Sequence, residues 1–223
     1  MSAPLRQTPL HDAQAAIGAR MVAYAGWEMP VRYDGVIAEH LAVRSAVGAF
    51  DVSHMGEIET TGPGALDLLM LLCSNDLARI PIGGAQYSLL CREDGGVLDD
   101  IFTYRLAAER YLTVTNAANH EQDLAWFRSH AGGFDAQVID RAADYAMIAV
   151  QGPLAREVVQ AAMGHRPRRQ PVRRAHLTGS ATRLRISLRL RPPRLREARR
   201  RRRWCGHGGP CRRMRRPSGR TRR

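Results

Sequence analysis

Two adjacent carboxylates, Asp99 and Asp100, lie in the segment 95–104, which begins with a glycine pair and is otherwise mainly apolar. The glycines supply positive φ angles for a tight turn, and the β-branched and aromatic residues after them predict a strand. Successive side chains of a strand point to opposite faces, which groups Asp100 with Phe102 and Tyr104 and turns Asp99 away. The pattern therefore favours one working acid, Asp100, over a proton-sharing pair. From these residues alone, a polar strand end without a chemical role is the simpler interpretation.

Two further groups of residues could do chemistry. Ser53 and His54 are adjacent, but no Gly-x-Ser-x-Gly elbow accompanies them, so we predict a structural role for His54 and not a hydrolase. Cys205, His207 and Cys211 offer three soft metal ligands without a fourth, and we predict no metal site.

The elements that must position these residues follow from hydrophobic periodicity and turn signals. Strands are predicted at 20–27, 49–60 (as a pair or one kinked strand), 85–91, 97–105, 111–116, 134–141 and 145–150. A short helix is predicted to start at 8–12, and further helices at 35–47, 62–73, 119–130 and 153–163. Thr8, Asp34 and Asn119 are predicted to cap helices, and Val36, Val43 and Val47 to share one helix face. Strands and helices interleaved with hairpins favour an α+β fold, an antiparallel sheet with packed helices.

The 223 residues divide into two kinds of polypeptide. Residues 1–163 hold 11 Arg and 20 acidic residues, whereas residues 164–223 hold 23 Arg and a single Glu. Of 13 aromatic residues, only Trp204 lies in the second part, and the chain contains no Lys. Such a composition cannot build an ordinary core, so the tail is predicted to be disordered.

Five motifs together resemble aminomethyltransferase, the T-protein of the glycine cleavage system. They stand in the family's order at 25–30 (AGWEMP), 50–56 (FDVSHMG), 95–100 (GGVLDD), 116–119 (NAAN) and 148–153 (IAVQGP). The resemblance covers about residues 6–163 and assigns them to a folate-binding N-terminal region.

The resemblance implies a one-carbon transfer that depends on tetrahydrofolate. An aminomethyl group carried on the lipoyl arm of H-protein is split, giving ammonia, the dihydrolipoyl arm and methylene-tetrahydrofolate. By the same resemblance, Asp100 holds the folate nitrogens and has the main catalytic role, whereas Met55, Tyr87, Tyr104 and Asn116 line the folate pocket. A flat heteroaromatic ring with a polar edge suits aromatic and thioether side chains beside a carboxylate.

The resemblance stops near Gly164. The family's Gly-Tyr-Thr-Gly-Glu segment, a later Arg-bearing segment and the C-terminal β-barrel domain are missing, so a truncated chain with impaired activity is expected. One hypothesis is that the tail is a GC-rich coding sequence read in the wrong frame, which translation of the other frames would test. The rival is a genuine arm that binds nucleic acid or other polyanions.

A third alternative is a folate-binding relative of T-protein that does not transfer lipoyl-borne carbon, such as a demethylating dehydrogenase domain or an assembly factor. The segments 99–100 and 26–30 favour the transferase, and an assay with H-protein would discriminate. No apolar run reaches membrane-spanning length and residues 1–6 do not resemble a secretory signal, so a cytoplasmic protein is predicted.

Overall fold

The computed structural model describes residues 4–162 with their side chains and the backbone of residues 163 and 183–189. Its helices are α1 (His11–Ala16), α2 (Val36–Ser45), α3 (Ala65–Leu72), α4 (His120–His130) and α5 (Ala155–Met163). Its strands are β1 (Arg6–Gln7), β2 (Arg20–Tyr24), β3 (Trp27–Arg32), β4 (Gly48–Asp51), β5 (Gly56–Thr61), β6 (Ala85–Cys91), β7 (Val97–Ala107), β8 (Arg110–Thr115), β9 (Gln137–Asp140), β10 (Tyr145–Gln151) and β11 (Arg183–Arg189).

The centre of the fold is a five-stranded antiparallel sheet with the order β6-β7-β8-β5-β9. One of its faces, the helix face, carries Ile58, Ile101 and Tyr111, which pack against α3 and α4 in the largest apolar cluster. A second sheet, β11-β10-β4, is also antiparallel. These layers confirm the predicted α+β class, with one exception, because β1 pairs with β3 in parallel.

The opposite face of the five-stranded sheet, which we call the site face, packs partly on β10. Phe102, Leu112 and Val114 form an apolar cluster there with Tyr145 and Met147 of β10. The other side of β10 packs on α5 through a third cluster, formed by Val47, Ile148, Val150, Ala155 and Val159. The order of layers is therefore α3 and α4, large sheet, small sheet, α5.

Two of the three predicted helix caps, Thr8 and Asp34, are wrong, and the third, Asn119, is the N-cap residue of α4 but makes no capping hydrogen bond with its side chain. Helix α1 begins at His11, and the Thr8 hydroxyl instead donates to Asp51 at 2.6 Å. Helix α2 has Gly35 at its N-cap, and the buried Glu39 carboxylate accepts the Gly35 N–H at 2.8 Å. The predicted helix face shared by Val36, Val43 and Val47 does not form, because Val36 is exposed and Val47 is buried beyond the end of α2.

Two segments differ from the predicted strands. The predicted strand at 20–27 is the hairpin β2–β3, whose turn at Ala25 and Gly26 has φ angles of 47° and 80°, as tight two-residue hairpin turns require. In the tail predicted to be disordered, residues 183–189 form β11 beside β10. The rest of 164–223, with Cys205, His207 and Cys211, lies outside the described residues. Within the described part of the chain, no helix combines the length and hydropathy needed to cross a membrane.

Candidate functional site

The hairpin between β6 and β7 forms as predicted and places the two carboxylates. Of the two glycines predicted to have positive φ angles only Gly95 does, at 82°, and the Gly96 N–H donates to the Asp94 carboxylate at 2.8 Å, which closes the turn. Beyond the turn, Asp100 pairs with Leu89 across the two strands. Asp99 is buried and Asp100 is exposed, so the predicted divergence of the two carboxylates is confirmed.

The register of the sheet brings Tyr87 and Tyr104 to the face that carries Asp100. Tyr87 lies opposite Phe102, which in turn lies opposite Val114, and Tyr104 lies opposite Leu112. Directly opposed residues of antiparallel strands project from the same face. Tyr87 is 42% exposed, whereas Tyr104 is buried edge-on against Phe102 with ring centroids 5.1 Å apart. Of the two tyrosines, Tyr87 is therefore the one with a ring available to a ligand.

Met55 and Asn116 meet at the end of the same sheet. Gly56 pairs with Thr115, so Met55 and Asn116, one residue further on each strand, lie next to each other beside Asp100. Met55 is half-buried against the apolar cluster of the site face. The structure thus collects the five residues predicted for the pocket, which are separated by up to 61 positions in the chain, on one face of the sheet.

The amide of Asn116 connects the two carboxylates. Its Nδ2 donates to Asp99 Oδ1 at 2.8 Å and to Asp100 Oδ1 at 3.0 Å. The backbone N–H of Asn116 donates to the other oxygen of Asp99 at 3.0 Å. Asn116 is therefore held from behind by the buried acid while it contacts the exposed one.

Asp99 also accepts a hydrogen bond from Asn119 Nδ2 at 2.9 Å, which explains why Asn119 does not cap α4 with its side chain. Burial raises the pKa of Asp99, but hydrogen bonds from Asn116, Asp123 and Asn119 together outweigh burial and hold the pKa below its ordinary value. Asp99 is thus a buried anion at neutral pH. Sequence reasoning missed this role, although Asn119 and Asp123 recur at the i, i+4 spacing of one helix face.

Tyr87 and Asp100 influence each other. The pKa of the Tyr87 hydroxyl is raised by desolvation first, then by the charge of Asp100 and a hydrogen bond to it. A neutral Tyr87 hydroxyl beside an exposed carboxylate gives the site a donor and an acceptor within reach of one ligand.

Two glutamates of β5 also project from the site face, deeper in the fold. Glu59 forms ion pairs with Arg110 at 2.7 Å and Arg141 at 3.4 Å, and these offset burial and lower its pKa. Glu57 is fully buried, and neither of its oxygens has a hydrogen-bond partner among the described residues. Burial first, and the charge of Asp140 second, raise the pKa of Glu57 to about 9, so it is protonated at neutral pH.

Ser53 and His54 take structural positions. The Ser53 hydroxyl is buried, donates to the Met147 carbonyl at 3.3 Å and accepts the Met147 N–H at 3.0 Å. His54 packs edge-on against Tyr24, with ring centroids 5.8 Å apart. The structural role predicted for His54 therefore agrees with its position. In the residues that the structure describes, no three His, Cys, Asp or Glu side chains are grouped closely enough to hold a metal ion.

Comparisons with known proteins show which family the sequence of this chain matches. Residues 10–175 match the family described as the GCVT N-terminal domain. The chain is 50% identical over 163 residues to an aminomethyltransferase of Symbiobacterium thermophilum and 45% identical over 155 residues to one of Herpetosiphon aurantiacus. These alignments cover 72% and 70% of this chain but 44% and 43% of the relatives, so the chain spans less than half of their length.

A solved structure gives the same result for the fold. The glycine cleavage system aminomethyltransferase T of Bartonella henselae is 36% identical, with a TM-score of 0.75. The match covers 83% of this chain and 54% of that protein. The predicted α+β fold is thereby confirmed.

Proposed function

Because the chain belongs to the family of the GCVT N-terminal domain, as its five motifs predicted, we propose that its site face binds tetrahydrofolate and serves an aminomethyltransferase reaction. In that reaction the aminomethyl group on the lipoyl arm of H-protein passes its carbon to tetrahydrofolate, with release of ammonia and the dihydrolipoyl arm. The names of the relatives support the reaction, and the convergence of Asp100, Asn116, Met55 and Tyr87 on one sheet end carries the proposal for the site.

Asp100 is the catalytic residue in this proposal. Its exposed carboxylate accepts hydrogen bonds from ring N–H groups and stabilises the positive charge that develops as the bond between carbon and nitrogen breaks. Holding the attacking nitrogen against the methylene carbon contributes a larger part of the rate, on the order of 7 to 11 kcal/mol when the alignment is good.

The surrounding residues orient the ring. Tyr87, with its exposed ring, and Met55, with a polarisable thioether, offer surfaces on which a flat heteroaromatic ring packs. Tyr104 contributes to the packing of this face, since its ring is buried against Phe102. Asn116 presents its amide to Asp100 and so fixes the rotamer of the carboxylate.

The test measures tetrahydrofolate binding by the chain itself. Binding is detected as a change in intrinsic fluorescence under reducing conditions. Asp100→Asn removes the charge and one acceptor, and is expected to weaken binding roughly 10- to 100-fold. The thermal midpoint should stay unchanged, because Asp100 is exposed.

Glu93→Gln is the matched control, since it makes the same change of charge at an exposed position of the same hairpin. Equal affinity of Asp100→Asn and Glu93→Gln would contradict the assignment of Asp100. A second assay measures ammonia release from aminomethyl-loaded H-protein. Folate binding without that release would instead favour a folate-binding relative that does not use the lipoyl arm.

The charge of the tail supports a second candidate function, polyanion binding. Residues 164–223 carry a net charge of +22, all of the positive charge coming from Arg. Arg-rich segments bind phosphate backbones with an affinity that falls steeply as salt rises. Binding of the full chain to duplex DNA at low salt, lost at high salt, is expected, and no binding at low salt would exclude this function.

A further inference from the structure

Helix α4 carries a buried acid that the proposed chemistry does not use. Asp123 is 0% exposed, and no donor reaches either of its side-chain oxygens among the residues that the structure describes. Its neighbour on the helix face of the sheet is the carboxylate of Asp99, near enough for a hydrogen bond between the two carboxyl groups when one of them carries a proton. An acid in such a place costs free energy unless it carries a proton.

A hydrogen bond between two carboxyl groups requires one proton, and the surroundings decide which group holds it. Burial first, and then the hydrogen bond to Asp99 and its charge, raise the pKa of Asp123 to about 8. Asp99 accepts hydrogen bonds from the side chains of Asn116 and Asn119, whereas no other described residue donates a hydrogen bond to Asp123. The proton therefore resides on Asp123 and the negative charge on Asp99.

The charge on Asp99 determines the orientation of the Asn116 side chain. An amide can present either its oxygen or its NH₂ group, and the hydrogen-bond network decides which. A charged Asp99 accepts only, so Asn116 must turn its NH₂ group toward it, at 2.8 Å. The second N–H of the same group then reaches Asp100 at 3.0 Å, and the amide oxygen is left as the acceptor that Asn116 offers to a ligand.

We propose that Asp123 is a positioning residue, which as a buried neutral hydrogen-bond donor holds the Asp99 carboxylate in place and thereby holds the Asn116 amide against Asp100. The proposal rests on the proposed function for its link to folate, because Asp100 is the residue positioned. Asp123 and Asp99 lie on the helix face of the sheet and Asp100 on its site face, and Asn116 connects the two faces. We call this chain of contacts the relay.

Of the titratable groups around Asp123, Asp99 is the one that interacts with it directly. His120, on the same helix, contacts Asp140 of β9 at 3.2 Å. Glu57 and Glu59 of β5 project from the site face, on the other side of the sheet. Glu121 is exposed to solvent on α4. A pH-dependent change at Asn116 that depends on Asp123 would therefore report on the carboxyl pair.

The first experiment follows the side-chain amide signals of Asn116 and Asn119 by NMR in the ¹⁵N-labelled full chain as the pH rises. In the wild type, both signals should shift together with a midpoint near the pKa of about 8. Asp123→Asn keeps a neutral donor beside Asp99 and should remove the transition. Glu121→Gln, the same change of charge at an exposed position of α4, should keep it.

Either of two results would overturn the relay: no transition of the Asn116 signal in the wild type, or an unchanged transition in Asp123→Asn. If Asp123→Asn does not fold, Asn119→Ala provides a second variant. It removes a donor from Asp99. The doubly ionised pair then becomes harder to form, and the midpoint should rise, so an unchanged midpoint would also contradict the relay.

A second readout is tetrahydrofolate affinity as a function of pH. Above the transition the wild type should bind roughly tenfold more weakly, because two adjacent anions disturb Asp99 and release Asn116, whereas the affinity of Asp123→Asn should not follow that transition. The same pH dependence in both proteins would refute the positioning role. Absence of folate binding by the wild type at every pH would refute the proposed function and leave the amide titration valid.

Discussion

Asp99 and Asp100 are neighbours in the chain, but they lie on the two faces of one sheet and in opposite surroundings. Asp99 is 5% exposed and accepts hydrogen bonds from a backbone N–H and two asparagine side chains. Asp100 is exposed, and its carboxylate contacts the amide of Asn116 and the hydroxyl of Tyr87. The buried acid uses its charge to organise protein groups, while the exposed acid keeps hydrogen-bonding capacity for a ligand.

The rest of the two faces follows the same division. The helix face is tightly packed, with Ile101, Thr103 and Thr113 almost fully buried and the two threonine hydroxyls 3.0 Å apart. The site face is packed at its centre, on β10, but leaves Tyr87 and Asp100 accessible at one end. We therefore expect substitutions on the helix face to affect folding and substitutions at that end of the site face to affect binding.

The largest expected effect tests the helix face. Ile101→Ala lies next to Asp100 on β7, and its side chain is 1% exposed in the main apolar cluster. The cavity it leaves should lower the free energy of unfolding by about 2 to 5 kcal/mol. Urea unfolding of the full chain measures this. A loss below about 0.5 kcal/mol, the range typical of surface substitutions, would show that this face is not the core.

Substitution of Glu57, a buried acid on the site face, should give the next largest change in the free energy of unfolding. In this case the substitution should stabilise the chain. The pKa of Glu57 rises from 4.5 in the unfolded chain to about 9 in the fold. A raised folded pKa means that stability is fully present below the unfolded pKa and is lost as pH rises toward the folded pKa. Glu57→Gln removes this titration and should stabilise the chain at pH 7 by up to about 3 kcal/mol.

Unfolding of both proteins across pH measures the effect of Glu57. The two curves should converge at acid pH, where the wild-type carboxyl is protonated in both states. Because Glu59 is held by two arginines, Glu59→Gln is the control, and it should destabilise the chain at pH 7. As pH rises, the free energy of unfolding of the wild type should fall relative to that of Glu57→Gln. If it does not, the buried, unpaired state of Glu57 is contradicted.

The smallest effect sharpens the description of the exposed end of the site face. Tyr87→Phe keeps the ring but loses the hydroxyl beside Asp100, so tetrahydrofolate affinity should fall about two- to tenfold, with little change in stability. Tyr24→Phe, at another exposed tyrosine, should leave affinity unchanged. If the two variants bind equally, Tyr87 contributes only its ring, and Tyr87→Ala would then measure that contribution.

Much of this fold could be predicted from local patterns. The strands β6, β7, β8 and β10 lie within a few residues of their predicted bounds, because alternation and turn glycines report directly on strands. The failures cluster where a side chain has a competing partner. Thr8 and Asn119 have residue types typical of helix caps, but their side chains donate hydrogen bonds to Asp51 and Asp99 instead. Both acids are distant in the chain, so a local sequence pattern does not reveal these partners.

The sequence by itself determined the family, the divergence of Asp99 from Asp100 and the candidate pocket residues, because motifs and the two-residue period of a strand are local properties. Only the tertiary structure decided that Tyr104 is buried and Tyr87 exposed, that Glu57 is protonated, and that Asp123 lies behind Asp99. These outcomes depend on sheet register and burial, which set pKa values through contacts between residues far apart in the chain.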